Sequence, residues 1–387
     1  MNSARKLRSM IILTASAYTT YAGISFYRNE DGFYKNVVMP AVHLLDPEKA
    51  HNLAIFCSKH RLLPKAVYKD PNSLKIELFN KTFKNPLGIA AGFDKNGEAV
   101  LGLRDIGFGF IEIGSVTPLP QPGNEKPRVF RLNEDKAVIN RYGFNSDGHD
   151  VVYERIKEIK KMGFDGVLGV NLGKNKLSPD PINDYILGIK KFGPIADYLV
   201  INISSPNTPG LRNMQSKEIF QKLLCAAVSA RNSLKEKPPL LIKLAPDLSF
   251  EERRNIAQVL MRPDCAVDGL IISNTTVERP DSLMNESSKE ETGGLSGKPL
   301  KNMSTTMIAE MRELTQGKIP IIGVGGISTG LDAYEKIKAG ASVVQIYTSM
   351  VYDGPPIVTK IKSELDDLLK QDGLKSIAEA VGRDAKF

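Results

Sequence analysis

Residues 319–348 read IPIIGVGGISTGLDAYEKIKAGASVVQIYT. Two short apolar runs in this stretch, Ile319–Val324 and Ser342–Tyr347, flank a segment of helical length. Both runs are rich in Val and Ile and lie close to glycines, a pattern that predicts buried strands. A strand, a helix and a second strand in succession predict a βαβ unit, whose two strands run parallel in one sheet.

The same alternation repeats along most of the chain. Six earlier apolar runs, spaced by helix-length segments, lie at Asn85–Ala91, Phe108–Ser115, Gly166–Leu172, Tyr198–Ser204, Leu240–Leu244 and Asp268–Asn274. Eight such units predict an α/β fold, a closed (β/α)8 TIM barrel, in which active sites collect at the C-terminal strand ends. Because such a barrel takes about 250 residues, the 387-residue chain is expected to form one large domain preceded by an extension.

Composition narrows the function classes. The net charge of +8 comes from basic residues interleaved with acids, and without a nucleic-acid-binding motif it predicts no nucleic-acid partner. The three cysteines, Cys57, Cys225 and Cys265, have neither metal nor disulfide spacing. We interpret them as reduced packing residues. The four histidines form no HxxxH or HExxH pattern, so no metal site is expected.

Residues 1–29 contain no acidic residue, and Arg5, Lys6 and Arg8 precede an uncharged stretch over Ser9–Tyr27. An acid-free, basic start is typical of a mitochondrial presequence. The uncharged stretch also has nearly the length that crosses a bilayer, although hydroxyl residues lower its hydropathy. Removal of the segment and its retention as a single transmembrane span both stay open, and we favour the retained span.

Residues 30–66 predict a helical hairpin. Apolar residues recur at helical spacing from Phe33 to Leu44, and Asp46–Pro47–Glu48 is typical of the start of a second helix. The pair either packs on the barrel or lies at a membrane surface and forms the mouth of a channel for an apolar ligand.

Residues 67–387 are then expected to form the barrel domain, with a short strand near Leu74–Phe79. A polar loop at Asp281–Thr292 is either a lid or a surface excursion.

The predicted strand ends carry amides, hydroxyls and two lysines, Lys95 and Lys243, instead of a carboxylate pair or a Ser-His-Asp triad. These groups suit a planar polar ligand and an anion. Lys243 either stabilises negative charge on a cofactor ring or forms a Schiff base, as in barrel aldolases. Gly325 and Gly326, together with hydroxyls that end the eighth strand, predict a phosphate site.

Several ordered motifs resemble one family. They include AAGFDKNGE (90–98), EIGSVTP (112–118), NRYGFNSDG (140–148), VNLGKNK (170–176), NISSPNTPGLR (202–212), GGLSGKPL (293–300) and IIGVGGI (321–327). The chain from about Phe33 onward is similar to the class 2 dihydroorotate dehydrogenases, which are membrane-associated and quinone-dependent. The resemblance implies oxidation of (S)-dihydroorotate to orotate in pyrimidine (UMP) biosynthesis. It also implies FMN in the barrel, ubiquinone as acceptor and a monomer, single-pass in the inner mitochondrial membrane.

The resemblance also implies which residues hold each ligand. The FMN site would comprise Ala90, Ala91, Gly92, Ser115, Asn171, Asn202, Lys243, Ser273, Ser296, Gly297, Gly326, Tyr347 and Thr348. The orotate site would comprise Lys95, Asn140, Arg141, Tyr142, Gly143, Phe144, Asn202, Asn207, Asn274 and Thr275. A quinone tunnel would pass Met39, His51, Arg131 and Tyr347.

Ser205 stands where the family keeps its catalytic base, and a serine there, where class 1 relatives have cysteine, favours class 2. It would remove a proton from C5 of dihydroorotate while a hydride passes from C6 to the flavin. A serine is a poor base by itself, so it needs a proton relay and a dry pocket. Thr208 and Phe144 are the positions that the family would use for them. Without the resemblance, Ser205 and Thr208 would be interpreted as turn caps.

Three rival functions stay open at this point. One is a class 1-type or dihydropyrimidine-oxidising flavoprotein that uses fumarate or a nicotinamide cofactor. The second is a flavin-free aldolase that depends on Lys243, and the third is a membrane-tethered flavin-binding scaffold without turnover.

Overall fold

A computed structural model describes residues 3–285 and 287–385. All eight predicted strands are present, and they close into a parallel barrel in the order β3, β4, β7, β8, β9, β10, β12, β13. The strands in chain order are β1 (Ile76–Leu78), β2 (Lys81–Phe83), β3 (Leu87–Ile89), β4 (Phe110–Val116), β5 (Val129–Leu132), β6 (Ala137–Asn140), β7 (Val167–Leu172), β8 (Tyr198–Asn202), β9 (Leu240–Leu244), β10 (Gly269–Ile272), β11 (Gly294–Gly297), β12 (Ile321–Val324) and β13 (Ala341–Ile346).

Helices surround the barrel and follow its strands. They are α1 (Ser3–Tyr27), α2 (Asp31–Phe33), α3 (Met39–His43), α4 (Pro47–Lys59), α5 (Val100–Ile106), α6 (His149–Lys161), α7 (Pro181–Phe192), α8 (Lys217–Asn232), α9 (Phe250–Leu260), α10 (Lys301–Leu314), α11 (Gly330–Ala339), α12 (Thr348–Asp353), α13 (Pro356–Gln371) and α14 (Ile377–Ala380). Each strand residue of β4, β7, β8 and β9 is buried, because one face fills the barrel and the other packs against helices. The TIM barrel prediction is confirmed.

Residues 31–59 form the helices α2, α3 and α4. A single π-helical turn at Tyr34–Val38 joins α2 to α3. Helix α4 begins with Pro47 in its first turn, and the Asp46 side chain accepts hydrogen bonds from the backbone N–H groups of Glu48 (3.0 Å) and Lys49 (3.1 Å). This cap satisfies two amides that have no partner inside the helix, which explains where the hairpin turns.

A three-stranded antiparallel sheet, in the order β11-β6-β5, was not predicted. Its strands have four residues each, and two residues of β11 are glycines, so the sequence there is typical of a loop. The pairing joins segments about 150 residues apart, which no local pattern reveals. The sheet has its own small core of Leu132, Ala137, Ile139, Leu283 and Leu295.

Within residues 3–285 and 287–385, no helix is both long enough and apolar enough to cross a membrane. The predicted single-pass span over residues 1–29 is therefore not supported, and Met1 and Asn2 of that segment lie outside the described residues. Helix α1 has sufficient length. Its several Ser and Thr residues lower its hydropathy, which is the physical reason for the difference.

The polar loop at 281–292 is anchored to the three-stranded sheet. The backbone N–H groups of Met284 and Asn285 donate to the carboxylate of Asp135 at 2.9 and 3.1 Å. Glu291 pairs with Arg141 at 2.6 Å. Of the described loop residues, which leave out Glu286, none lines the cavity described below. The contacts favour the surface excursion over the lid.

Candidate active site

A cavity lies at the C-terminal ends of the barrel strands. Three parts of the chain form its walls: the strand ends, the three-stranded sheet and the N-terminal hairpin. The sheet contributes Arg131, Asn140 and Ser296, and the hairpin contributes Met39 and His51. The cavity therefore joins a polar floor inside the barrel to a more apolar mouth between helices.

A buried carboxylate organises the barrel interior beneath the cavity. Glu112, in the middle of β4, is completely buried. It accepts hydrogen bonds from Asn171 Nδ2 (2.9 Å), the Tyr198 hydroxyl (3.1 Å) and Gln345 Nε2 (2.8 Å). These three donors come from three different strands, so Glu112 fixes their side chains relative to one another.

Amides and hydroxyls form a connected layer above Glu112. Asn202 Nδ2 donates to Ser115 Oγ at 2.9 Å and to Asn171 Oδ1 at 3.2 Å, and Ser115 Oγ donates to Asn171 Oδ1. Asn274 Nδ2 donates to Ser204 Oγ at 3.0 Å and to Asn202 Oδ1 at 3.3 Å. Since each member restrains the next, the layer presents a preorganised polar surface to the cavity.

Lys243, at the end of β9, lines the cavity from within the barrel. Burial lowers the pKa of its ammonium group, and the nearby charge of Glu112 acts in the opposite direction. Its Nζ makes no hydrogen bond to any residue within 3–285 and 287–385. Gln345 Oε1 is likewise buried without a partner among the described residues. The Lys243 ammonium group is therefore free to donate a hydrogen bond, and Gln345 Oε1 is free to accept one. A planar ligand with an acceptor edge and a donor edge can satisfy both.

A second part of the cavity has a backbone-lined wall. A Cβ atom added to Gly326, which has φ +70°, would lie 2.5 Å from the Lys301 backbone. A Cβ atom on Gly297, which has φ +93°, would lie 2.3 Å from the carbonyl oxygen of Lys136. Beside them, Thr348 Oγ1 donates to Ser296 Oγ at 2.9 Å. The backbone at both positions therefore requires glycine, and the two neighbouring hydroxyls suit a phosphate group.

Lys95 lies beside an aromatic ring at the opposite wall. Its Nζ is 3.7 Å from the centre of the Tyr142 ring. Burial, and to a lesser extent the positive charge of Arg128, lowers the pKa of Lys95 to about 7. Arg128 is paired with Glu48 at 2.8 Å and does not itself line the cavity. Lys95 is thus a cation of the cavity that an anionic ligand would stabilise.

Ser205 and Phe144 both line the cavity and are buried. Ser205 Oγ accepts a hydrogen bond from the backbone N–H of Asn207 at 3.3 Å, and Asn207 Nδ2 donates to Asn140 Oδ1 at 3.2 Å. Thr208 lies behind this wall, with a buried hydroxyl that has no partner among the described residues. The loop after β8 therefore places one hydroxyl at the cavity and another in the layer behind it.

Most predicted site residues meet at this cavity. The lining residues are Ala90, Ala91, Gly92, Lys95, Ser115, Asn140, Tyr142, Gly143, Phe144, Asn202, Ser205, Asn207, Lys243, Ser273, Asn274, Thr275, Ser296, Gly297, Gly326, Tyr347 and Thr348.

Three predicted residues do not line the cavity. Asn171 and Thr208 lie one layer behind its wall, as described above. The side chain of Arg141 lies outside the cavity wall, where its guanidinium pairs with Glu291 at 2.6 Å and lies over the Phe130 ring at 4.6 Å. Successive side chains of a strand point to opposite faces. Because Asn140 at the end of β6 faces the cavity, the side chain of Arg141 points away from it.

The four predicted quinone-tunnel residues, Met39, His51, Arg131 and Tyr347, all line the cavity. His51 contacts the Phe93 ring at 5.4 Å between centroids and the Tyr347 ring at 6.4 Å. Burial and the neighbouring Lys95 hold the pKa of His51 well below its usual value, so its imidazole is neutral. The Arg131 guanidinium donates to the carbonyl oxygen of His43 at 3.0 Å, which fixes the hairpin to the sheet.

The sequence did not predict three features of the site, namely Glu112, Gln345 and the Glu48–Arg128 pair. For the first two a signal exists, because each is a lone polar residue within an apolar strand run. A polar residue at such a position faces the barrel interior and must be hydrogen-bonded there. The Glu48–Arg128 pair joins the hairpin to the segment before β5, and no local pattern indicates such a contact.

Comparisons with known proteins match this chain to one family. The family model described as dihydroorotate dehydrogenase matches residues 73–369. The mitochondrial dihydroorotate dehydrogenase (quinone) of Mus musculus is 51% identical, over 98% of this chain and 97% of that protein. The dihydroorotate dehydrogenase (quinone) of Parvibaculum lavamentivorans is 50% identical, over 90% and 98%. A crystal structure of DHODH from Eimeria tenella in complex with ferulenol has a TM-score of 0.86 and 44% identity, over 90% and 99%.

Proposed function

The chain belongs to the dihydroorotate dehydrogenase family, and on that premise we propose that it oxidises dihydroorotate to orotate with a quinone as electron acceptor. One observation carries the proposal: a single cavity joins the amide layer and Lys95 to an apolar mouth formed by the hairpin. A small anionic pyrimidine fits the first part, and an apolar acceptor fits the second.

The residues of the cavity fit FMN as the resident cofactor. Gly297 and Gly326 line the cavity beside Ser296 and Thr348, whose hydroxyls would contact the phosphate group. Lys243 offers an unpaired cation to the ring. When bound there, FMN supplies a ring that takes up a hydride and then returns two electrons to a quinone. Lys243 stabilises negative charge at the edge of that ring.

The substrate would lie between Lys95 and the asparagine layer. Lys95 offsets the carboxylate of dihydroorotate, and the amides of Asn140, Asn207 and Asn274 hydrogen-bond to the pyrimidine edges. These asparagines are already restrained by contacts with one another and with Ser204. Little ordering is then needed when the substrate binds, which favours one orientation of the ring.

Ser205 would hold the base position, facing C5 of dihydroorotate. Its Oγ is fixed by the Asn207 amide and lies in a wall from which Phe144 excludes water. The buried, unpartnered hydroxyl of Thr208 supports a short relay that carries the proton from Ser205 to the layer behind. A relay compensates for the weak basicity of a serine hydroxyl.

The quinone would enter between α3 and α4 and approach Tyr347 past Met39 and His51. Apolar side chains that remain exposed on the hairpin, including Leu44, Leu53 and Phe56, support contact with a membrane surface, from which an apolar quinone would come. We further propose a mitochondrial location at the inner membrane, because several curated relatives are mitochondrial, and a monomeric enzyme.

The decisive experiment measures the flavin absorbance of the purified full-length protein. Anaerobic dihydroorotate is expected to bleach the flavin absorbance, and a quinone added afterwards is expected to restore it. Colourless protein that does not take up FMN would overturn the proposal. Trapping of a substrate on Lys243 by borohydride would instead identify the aldolase alternative.

Substrate affinity is expected to fall as the pH rises above about 7. Below its pKa of about 7, Lys95 is already an ammonium ion. At higher pH, binding of a carboxylate must also take up a proton, so the Kd for orotate should rise by up to about tenfold per pH unit. Titrations of flavin absorbance with orotate between about pH 6 and 9 measure this.

The control for this pH dependence is Lys95→Met, which should bind orotate weakly at every pH. Neutral His51, and Glu48, whose pKa is lowered from its usual value, are not expected to titrate in this range. A Kd that stays constant for the unchanged protein from about pH 6 to 9 would contradict the role of Lys95.

Deletion of residues 1–29 is expected to leave the flavin site intact. Of the described residues in this segment, none lines the cavity. Helix α1 contacts the hairpin through Tyr21 on Phe33, at 6.2 Å between ring centres, and through Phe26 on Tyr34, at 5.5 Å. Activity with an artificial water-soluble acceptor should therefore stay within about twofold. Loss of the flavin from the truncated protein would show that the extension supports the barrel.

A further inference from the structure

Two of the three cysteines, 40 residues apart in the chain, meet on the outside of the barrel. Cys225 lies in the middle of α8, and Cys265 lies in the turn before β10. Their Sγ atoms are 2.9 Å apart. We propose that Cys225 and Cys265 are a dithiol site that small-molecule disulfides, such as oxidised glutathione, convert reversibly to an intramolecular disulfide.

The separation of the sulfur atoms supports this directly. A disulfide bond has an S–S length of about 2.05 Å, so the two Sγ atoms need to approach by only about 1 Å. The two side chains thus already lie within reach of the bond. The spacing of the two cysteines in the sequence does not predict their contact. They are brought together by the packing of α8 on the turn and not by a local motif.

The surroundings of the two thiols differ, which assigns them different roles. Cys225 is half-buried, while Cys265 is fully buried. Burial, and then the neighbouring Cys225, raises the pKa of Cys265 to about 12. Cys225 is therefore the thiol that meets a reagent from solvent, and Cys265 acts second. Asp264, whose carboxylate accepts from Cys225 Sγ at 3.5 Å, is paired with Arg262 at 3.1 Å.

The chemistry is thiol–disulfide exchange in two steps. Cys225, as the thiolate, attacks one sulfur of the small disulfide, forms a mixed disulfide and releases one small thiol. Cys265 then loses its proton and attacks Cys225 Sγ, which releases the second small thiol. Two protein thiols are oxidised and one small disulfide is reduced to two thiols, so atoms and electrons balance.

A metal site is the alternative, since Cys225, Asp264 and Cys265 offer three ligand atoms within 4.8 Å of one another. Two thiolates on one tetrahedral zinc ion, each at about 2.3 Å, lie about 3.8 Å apart. The observed separation of 2.9 Å is much shorter than that. The geometry therefore favours the disulfide over the metal.

Neither cysteine lines the cavity, so oxidation is expected to stabilise the barrel without changing turnover. The bond would tie α8 to the turn that leads into β10, and it would close a loop of about 40 residues in the unfolded chain. Closing such a loop restricts the unfolded state. The melting temperature of the full-length protein should accordingly rise by several degrees.

The test treats the full-length protein with oxidised glutathione, then counts free thiols and maps the cross-linked peptides. We expect two of the three thiols to disappear, a Cys225–Cys265 peptide pair, and full recovery with dithiothreitol. Cys57→Ser is the matched control and should behave in the same way. In Cys265→Ser, a glutathione adduct should accumulate on Cys225, whereas in Cys225→Ser the buried Cys265 should remain a free thiol.

Other outcomes would overturn the proposal. The proposal is wrong if all three thiols remain free in the treated protein. It is also wrong if a stable glutathione adduct forms on Cys225 of the unchanged chain. Zinc that co-purifies stoichiometrically and is lost from both Cys225→Ser and Cys265→Ser would identify the metal site instead. Equal melting temperatures of the oxidised and reduced protein would contradict the predicted stabilisation of the barrel by the disulfide.

Discussion

Ser205→Ala is expected to slow the reduction of the bound flavin by dihydroorotate by about 10²- to 10⁴-fold, the usual contribution of a positioned general base. The change removes the only atom at this position that takes up the proton, while the Asn207 amide and the asparagine layer remain. Substrate binding should therefore change little. Anaerobic stopped-flow measurement of flavin bleaching separates the two effects, because the rate at saturating dihydroorotate reports the chemical step.

Two variants make this result specific. Ser229→Ala, on the exposed face of α8, controls for loss of a serine hydroxyl elsewhere and should reduce its flavin at the normal rate. Thr208→Val removes the buried hydroxyl of the relay and should cause a smaller loss than Ser205→Ala. If Ser205→Ala reduced its flavin at an undiminished rate, the assigned role of Ser205 would be ruled out.

Glu112→Ala is expected to lower the free energy of unfolding by about 3–5 kcal/mol, because it leaves three buried donors unsatisfied at about 1–3 kcal/mol each. Asn171, Tyr198 and Gln345 would lose the carboxylate that accepts their hydrogen bonds. Lys243 would also lose the nearby opposite charge that offsets its burial. Each unsatisfied buried group carries a desolvation penalty. Urea denaturation with far-ultraviolet circular dichroism measures the change.

Glu112→Gln is the matched control, because it keeps the side-chain volume and one accepting oxygen. It should destabilise the protein less than Glu112→Ala. Since Asn171 and Lys243 belong to the proposed flavin site, Glu112→Ala should also retain less FMN after gel filtration. An unfolding free energy within about 1 kcal/mol of the unchanged protein would mean that the surrounding donors find other acceptors.

The predicted site residues at barrel strand ends line the cavity, whereas Arg141, in the segment after β6, does not. Asn202, Lys243 and Ser273 each end or follow a barrel strand, and the barrel brings such positions together. Arg141 belongs to the same quoted motif as Asn140, yet its side chain turns to Glu291. The motif identifies the segment, but the packing of the loop at 281–292 decides where that side chain points.

The eight strands, the helices between them and the start of α4 follow from the sequence by itself, because each depends on residues within a few positions of one another. The β11-β6-β5 sheet, the Glu112 network and the meeting of Cys225 with Cys265 appear only in the tertiary structure. Each of these joins segments that are tens to hundreds of residues apart, and their pairing depends on packing and exclusion of water. Local periodicity carries no information about such contacts.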